Sequence, residues 1–196
     1  KKIILLLVIA CSSSIAMAQS KAISGSFGIL NPKLRVQYEH GLGDAASLGL
    51  NTNIYFVNWT GPRFEGFFRY YFGQNGNESG VFMQAKAGAG FLSNAWDGDD
   101  LNFTYMGTNY DIFESNTWTT VGAGIAFGGK IVGNSGFVFE SHIGYHFWSP
   151  PNNYSSGYDN YYDQYAAAGM AIGEAIGWYL TTGFPVDVQM KFGYQF

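Results

Sequence analysis

From Val186 to Phe196 the chain alternates without a break. Val186, Val188, Met190, Phe192, Tyr194 and Phe196 are large and apolar, while Asp187, Gln189, Lys191, Gly193 and Gln195 are polar or small. A period of two marks a β-strand with one apolar face. So bulky a face has to be covered, by a partner sheet in a soluble protein or by lipid in a membrane.

The same period recurs upstream. Residues 22–30 carry it weakly, with Ile23, Gly25, Phe27 and Ile29 on one face. Residues 33–40 set Leu34, Val36 and Tyr38 against Arg35, Gln37 and Glu39. Residues 47–57 align Leu48, Leu50, Ile54 and Phe56, and residues 63–72 set Phe64, Phe68, Tyr70 and Phe72 against Arg63, Glu65, Arg69 and Tyr71. Residues 81–92, 118–128 and 136–148 complete the series, so that eight strands are predicted. The last of these sets Phe137, Phe139, Ile143, Tyr145 and Phe147 against Glu140, His142, Gly144 and His146. Asn31-Pro32, 41–45, 58–61, 73–80 and 129–135 read as turns or short loops. The connections 93–117 and 149–184 are long. A second layout treats 166–180 as a strand and merges the first two strands into one.

The beginning of the chain reads as an export signal. Lys1-Lys2 precedes the apolar run Ile3 to Ala10, and Ala16-Met17-Ala18 fits small-residue cleavage, giving a signal over 1–18 and a single domain over 19–196. The run is too short to cross a bilayer as a helix. Val8-Ile9-Ala10-Cys11 offers a rival, a lipoprotein box with Cys11 lipidated. Cleavage after Ala18 would remove that cysteine, the only one, and leave no disulfide to stabilise the fold. Without Lys1 and Lys2, Lys+Arg falls from 10 to 8 against 14 Asp+Glu, a net charge of −6 that argues against nucleic acid. Mean hydropathy is only −0.02 although 18% of residues are aromatic. Near-neutral hydropathy with alternating aromatic segments is how membrane strands differ from membrane helices.

Export signal, eight alternating strands, alternating short and long connections and a final strand ending in Phe196 together resemble the small OmpA/OmpX-like bacterial outer-membrane β-barrels. The resemblance covers 19–196 and implies an all-β, eight-stranded antiparallel transmembrane barrel with short periplasmic turns and two long external loops. It implies a bacterial outer-membrane location, lipid around the barrel, recognition by the barrel assembly machinery through the strand ending in Phe196, and a monomer. It implies no enzyme and no cofactor, and because the sequence stops at the final strand no periplasmic peptidoglycan-binding domain is expected. Tyr38, Phe72, Phe127, Phe137, Tyr194 and Phe196 would form an aromatic girdle at the periplasmic rim, and Phe56, Phe64, Phe91 and Phe147 one at the outer rim.

With the apolar faces outward, the lumen would hold Arg35, Glu39, Arg63, Glu65, Arg69, Lys86, Glu140, Asp187 and Lys191, five cations against four anions, with His142 and His146. Buried charges are costly unless paired, so near balance predicts a network that plugs the barrel, with Glu140 close to Lys191. His142 and His146 resemble a metal-binding pair, but four residues along a strand separate them by about 13 Å, too far for one ion. Glu140 and His142 are conceivable acid–base groups, yet no nucleophile accompanies them, and the His-x-Ser arrangement of outer-membrane lipid hydrolases is absent. The long connections contain Asp97, Asp99, Asp100, Asp111, Glu114, Asp159, Asp163 and Glu174 and no Lys or Arg. Asp97-Gly98-Asp99-Asp100 resembles part of a calcium loop but lacks its spacing and closing Glu, and reads as an acidic turn. These acidic residues, with Tyr154, Tyr158, Tyr161, Tyr162 and Tyr165, are candidate contacts for an extracellular protein or glycan, or girdle residues at the barrel mouth. Residues 166–180, with glycines at 169, 173 and 177, read as a short apolar helix at the outer rim. The expected function is a plugged barrel with a structural or surface-interaction role. The alternatives are a narrow, porin-like pore and a lipid-active enzyme.

Overall fold

The computed structural model describes residues 20–28, 32–57, 59–73, 79–94, 102–105, 108–111, 117–150 and 175–196. The signal over 1–18, Cys11, Asp97, Asp99, Asp100, Glu114 and the 151–174 stretch with its tyrosines lie outside the described residues.

Strands form where the sequence alternates. They are β1 (Lys21–Gly28), β2 (Lys33–Gly41), β3 (Ala46–Val57), β4 (Trp59–Phe72), β5 (Gly80–Asn94), β6 (Asn102–Tyr105), β7 (Thr108–Asp111), β8 (Thr117–Val132), β9 (Phe137–Trp148) and β10 (Val186–Gln195). Eight of them close a barrel in the order β1-β10-β9-β8-β5-β4-β3-β2, and β6 and β7 form a separate two-stranded sheet. All pairings are antiparallel. The fold is thus an all-β, eight-stranded antiparallel closed barrel.

Closure joins β1 to β10, where Lys21 N donates to Phe196 O at 3.0 Å and Phe196 N to Lys21 O at 2.8 Å. The connections β2–β3, β4–β5 and β8–β9 fall at this same end, which we call the closure end. The connections β5–β8 and β9–β10 fall at the opposite, loop end. The sheet is staggered as it closes. Registered partners run from Ala22 through Glu39, Gly49, Phe67, Lys86, Gly124 and His146. His146 N then meets Pro185 O, and extending the β10–β1 register from Pro185 arrives at Pro32, ten residues past Ala22. Stagger and strand number together set a barrel's radius, and at eight strands side chains fill the interior.

Three elements run longer than the sequence pattern indicates. β4 begins at Trp59, which pairs with Val57, so residues 59–61 of the expected 58–61 loop are strand. Gly61, in the same stretch, lets β4 pass close to β5. It sits at φ 129, and a Cβ there would fall 2.1 Å from Phe91 O. β8 continues through Val132 into the expected 129–135 turn, and β5 reaches Asn94. The merged layout does not form, because β1 and β2 pair with each other from Lys21↔His40 to Gly28↔Lys33. Within 166–180, residues 175–180 form a six-residue helix, α1.

Candidate functional site

The barrel interior is built by parity. On β2, Arg35, Gln37 and Glu39 are buried while Leu34, Val36 and Tyr38 between them are exposed. β4 buries Arg63, Glu65, Arg69 and Tyr71, β9 buries Glu140, His142 and His146, and β10 buries Asp187, Gln189 and Lys191. With Lys86 on β5, every lumen residue expected from the sequence lies inside. One register position brings together the two chain-distant members of the closest predicted pair: Lys191 faces Glu140 across β10–β9, Nζ 3.0 Å from Oε1.

Two ionic clusters fill the lumen. Nearer the closure end, Arg69 sits between two carboxylates. Its Nη2 donates to Glu140 Oε1 at 2.6 Å and its Nη1 to Glu140 Oε2 at 2.8 Å and Glu39 Oε2 at 2.9 Å. Glu39 also accepts from Ser47 at 2.6 Å and from the Tyr71 hydroxyl, and Gln37 Nε2 donates to Glu140 at 3.1 Å. Towards the loop end, Arg63 Nε and Asn53 Nδ2 both donate to Glu65 Oε1 at 2.9 Å. Lys86 bridges Glu65, 3.3 Å away, and Asp187, to which its ammonium hydrogen-bonds. Charge-assisted bonds of this kind offset the desolvation of buried ions only when nearly every donor and acceptor is used.

The two histidines meet Asp187 rather than each other. His142 Nε2 lies 3.6 Å and His146 Nδ1 3.8 Å from Asp187 Oδ2, the oxygen that Lys86 also approaches. Among the described residues no three His, Cys, Asp or Glu side chains are placed to hold a metal ion. Ser141 points outward, away from Glu140 and His142 on the same strand.

Several interior residues escape the sequence reading. Lys130 is buried 3.5 Å from Glu39, and half-buried Lys33 lies 3.5 Å from the Tyr55 hydroxyl. With these two, seven interior cations face four carboxylates among the described residues, a wider excess than the five against four expected from the sequence. The interior is also more aromatic than expected. Phe67 and Phe82 are buried against Arg69, whose guanidinium carbon lies 4.6 Å and 4.2 Å from their ring centroids. Glycines on facing strands supply the room. A Cβ on Gly49 would fall 2.1 Å from Phe67 Cζ, and one on Gly122 would fall 2.5 Å from the Trp148 ring.

Tryptophans close the loop end. Trp178 of α1, fully buried, packs edge-on against Trp118 with centroids 5.5 Å apart and against Trp59 at 5.9 Å. Trp59 and Trp118 meet at 4.6 Å. Tyr55, Leu92 and Trp148 complete this apolar cluster. Read as a strand, 166–180 would have placed Trp178 on the outside; α1 instead drives it into the barrel mouth. The segment that follows is tied to the wall, since Arg63 Nη1 donates to Thr182 O at 3.4 Å and His146 Nε2 lies 2.7 Å from Phe184 O.

Comparison with protein-family models, with curated proteins and with solved structures returns no match.

The site is therefore described by its own geometry. It is a lumen filled by ion pairs and aromatic rings, with an aromatic lid above them. Nothing in it pairs a nucleophile with a base among the described residues. Its chemistry is cohesion between strands far apart in sequence.

Proposed function

We propose that this chain is a small outer-membrane β-barrel of the OmpA/OmpX-like kind, with a plugged lumen and a structural or surface-interaction role. One observation carries the reading, the sorting of side chains between the two faces of the wall. Along the eight barrel strands, charged side chains turn inward, except Lys21 at the edge. Most large apolar ones turn outward in a belt that includes Ile125 at 67% exposed, Val188 at 65% and Met190 at 62%. A soluble protein rarely exposes a contiguous apolar patch beyond a few hundred Å². A belt around a closed barrel with no facing sheet is what lipid requires.

The filled interior favours a plug over a pore. Ion pairs cross the barrel at two levels, and the tryptophan cluster stands above them. The same features favour a non-catalytic role. The contact surface for an extracellular protein or glycan is assigned to the acidic 93–117 and 149–184 connections on their sequence alone.

The test is heat-modifiability. The chain without residues 1–18 is folded in detergent and run on a cold gel, boiled and unboiled. Faster migration of the unboiled sample, together with no steady conductance in planar bilayers, is the expected result. A chain that stays soluble in plain buffer and shows no gel shift would overturn the membrane reading. Steady single-channel conductance would overturn the plug. Removal of the two long connections should abolish adhesion to host or glycan surfaces, and unchanged adhesion would sink the contact role.

A further inference from the structure

The wall of the barrel is not smooth on the side of β4, β5 and β8. Between β4 and β5 the ladder runs through Trp59↔Asn94 and Thr60↔Ser93 and resumes at Arg63↔Gly90. It skips Gly61 and Pro62, which stand opposite Leu92 and Phe91 in the same register. Pro62 has no N–H to donate across such a pair, and the backbone of Gly61, at φ 129, lies against Phe91 O. A hollow of about 310 Å³ lies where the pairing lapses, near the loop end.

Hydroxyls rim this hollow. Thr60 registers with Ser93 and Ser93 with Thr117, a row across three adjacent strands, and Thr119 registers with Phe91 one step below. Their parity is that of the outward residues Phe64, Ala89 and Val121 on the same strands. Thr60 Oγ1 and Ser93 Oγ are 2.8 Å apart, and one of the two keeps its hydrogen for another acceptor. Thr117 and Thr119 are exposed, and the Phe91 ring beside them is 58% exposed.

The chemistry of the hollow is neutral, since no charged side chain is among the described residues that line it. A charged headgroup would find no counterion there. A sugar offers hydroxyls that donate and accept as these do, and its C–H face suits an aromatic ring. The volume sits at the low end of the roughly 300–1,000 Å³ of small-molecule sites, which fits a headgroup and not an extended glycan. The hollow also opens sideways through the wall and not upward from the mouth. Below it the outer face of β5 is Ala85, Ala87 and Ala89, with Gly66 and Ala123 registered on either side of Ala87. A hydrocarbon chain descending from the hollow meets this trough before it meets a bulky side chain.

We infer that the outer face of β4, β5 and β8 carries a binding site for the sugar headgroup of a glycolipid, with Thr60, Ser93, Thr117 and Thr119 as its hydrogen-bonding groups and Phe91 as its ring platform. The inference rests on the membrane reading, because it needs the ligand to arrive within the bilayer.

Native mass spectrometry of the folded full chain, released from tetraethylene glycol monooctyl ether, tests it. Digalactosyl diacylglycerol is added in parallel with phosphatidylcholine of the same acyl chains. The expected result is one glycolipid retained, roughly tenfold more tightly than phosphatidylcholine, with that preference lost in the combined variant Thr60→Val, Thr117→Val and Thr119→Val. Valine keeps the branched shape and the strand preference of threonine, so the wall stays folded. Thr52→Val, an outward threonine on β3 away from the hollow, should leave retention unchanged. Equal retention of the two lipids, unchanged preference in the combined variant, or an equal loss in Thr52→Val would overturn the site. Free galactose bound as tightly as the glycolipid would overturn the lipid source. The cold-gel shift of the same samples scores the barrel. A shifted band with no preference for the glycolipid sinks this inference alone, whereas a chain that folds and stays soluble without detergent sinks the membrane reading and this inference with it.

Discussion

Arg69 and Glu140, 71 residues apart in sequence, face each other inside the barrel in a two-pronged ion pair with N–O distances of 2.6 Å and 2.8 Å. Glu140 is also the acceptor for Lys191 and Gln37. Removing it leaves Lys191 with no carboxylate partner among the described residues and Arg69 with Glu39 alone. Glu140→Ala is expected to cost about 3–5 kcal/mol, the range for breaking a buried pair. Lys191→Met should cost clearly less, because Glu140 keeps Arg69 and Gln37. Urea titrations of the gel-shifted form check the order. Equal costs would mean that the Lys191 bond carries as much of the network as Glu140 itself.

Glycine placement makes a second, sharper prediction. A Cβ on Gly88 would fall 1.9 Å from Phe64 O, a backbone atom that cannot rotate away, whereas the nearest atom to a Cβ on Gly66 is 3.9 Å off. Gly88→Ala should therefore destabilise by about 1–3 kcal/mol or more through overpacking. Gly66→Ala, on the outer face of the neighbouring strand, should stay within about 0.5 kcal/mol. Paired unfolding curves decide it. A neutral Gly88→Ala would mean that β4 and β5 separate easily at this level.

The barrel was legible because a period of two survives almost every strand, and parity alone sends Arg35, Glu65, Glu140 and Lys191 to the inside. Lys130 was hidden by its surroundings. Gly128-Gly129 before it and Gly133 to Gly136 after it carry turn chemistry, yet Phe127 and Ile131 on odd positions already placed even-numbered Lys130 inward. Trp178 was not legible. Ala175 to Leu180 is apolar on all sides, so periodicity cannot choose between strand and helix, and only the mouth of the barrel supplies the hydrophobic partners. The cation excess followed from these omissions, since Lys33 and Lys130 both sit where a strand meets a turn.

The outer face carries the membrane reading, and one substitution there separates the alternatives. Ile125, in the middle of β8, is flanked on the same face by Ala85 and Tyr145. With lipid around the barrel, Ile125→Arg should cost about 2–4 kcal/mol near the midplane. In water the same change would be near neutral and would improve solubility. Folding titrations in phospholipid vesicles measure the difference. A neutral result in vesicles would remove the belt from contact with lipid.

In the proposed plugged barrel the tryptophan lid and the ion-pair network would act as two barriers in series, and Trp178 tests the outer one. It is fully buried, yet it belongs to a six-residue helix outside the strand ladder, held by packing on Trp59 and Trp118 and by a 3.4 Å bond from its indole N–H to Trp148 O. Trp178→Ala removes that packing at a cost of about 3–5 kcal/mol. This exceeds what so short a helix can supply by itself, so the segment around α1 should release while the barrel persists. The unboiled band should still run ahead of the boiled one, and protease should cut between residues 175 and 185 far faster than in the parent protein. Conductance should nevertheless stay closed, because Arg63, Glu65, Lys86 and Asp187 still span the lumen beneath the lid. A steady conductance in Trp178→Ala alone would place the barrier in the aromatic lid and leave the charges beneath it as the lining of a channel.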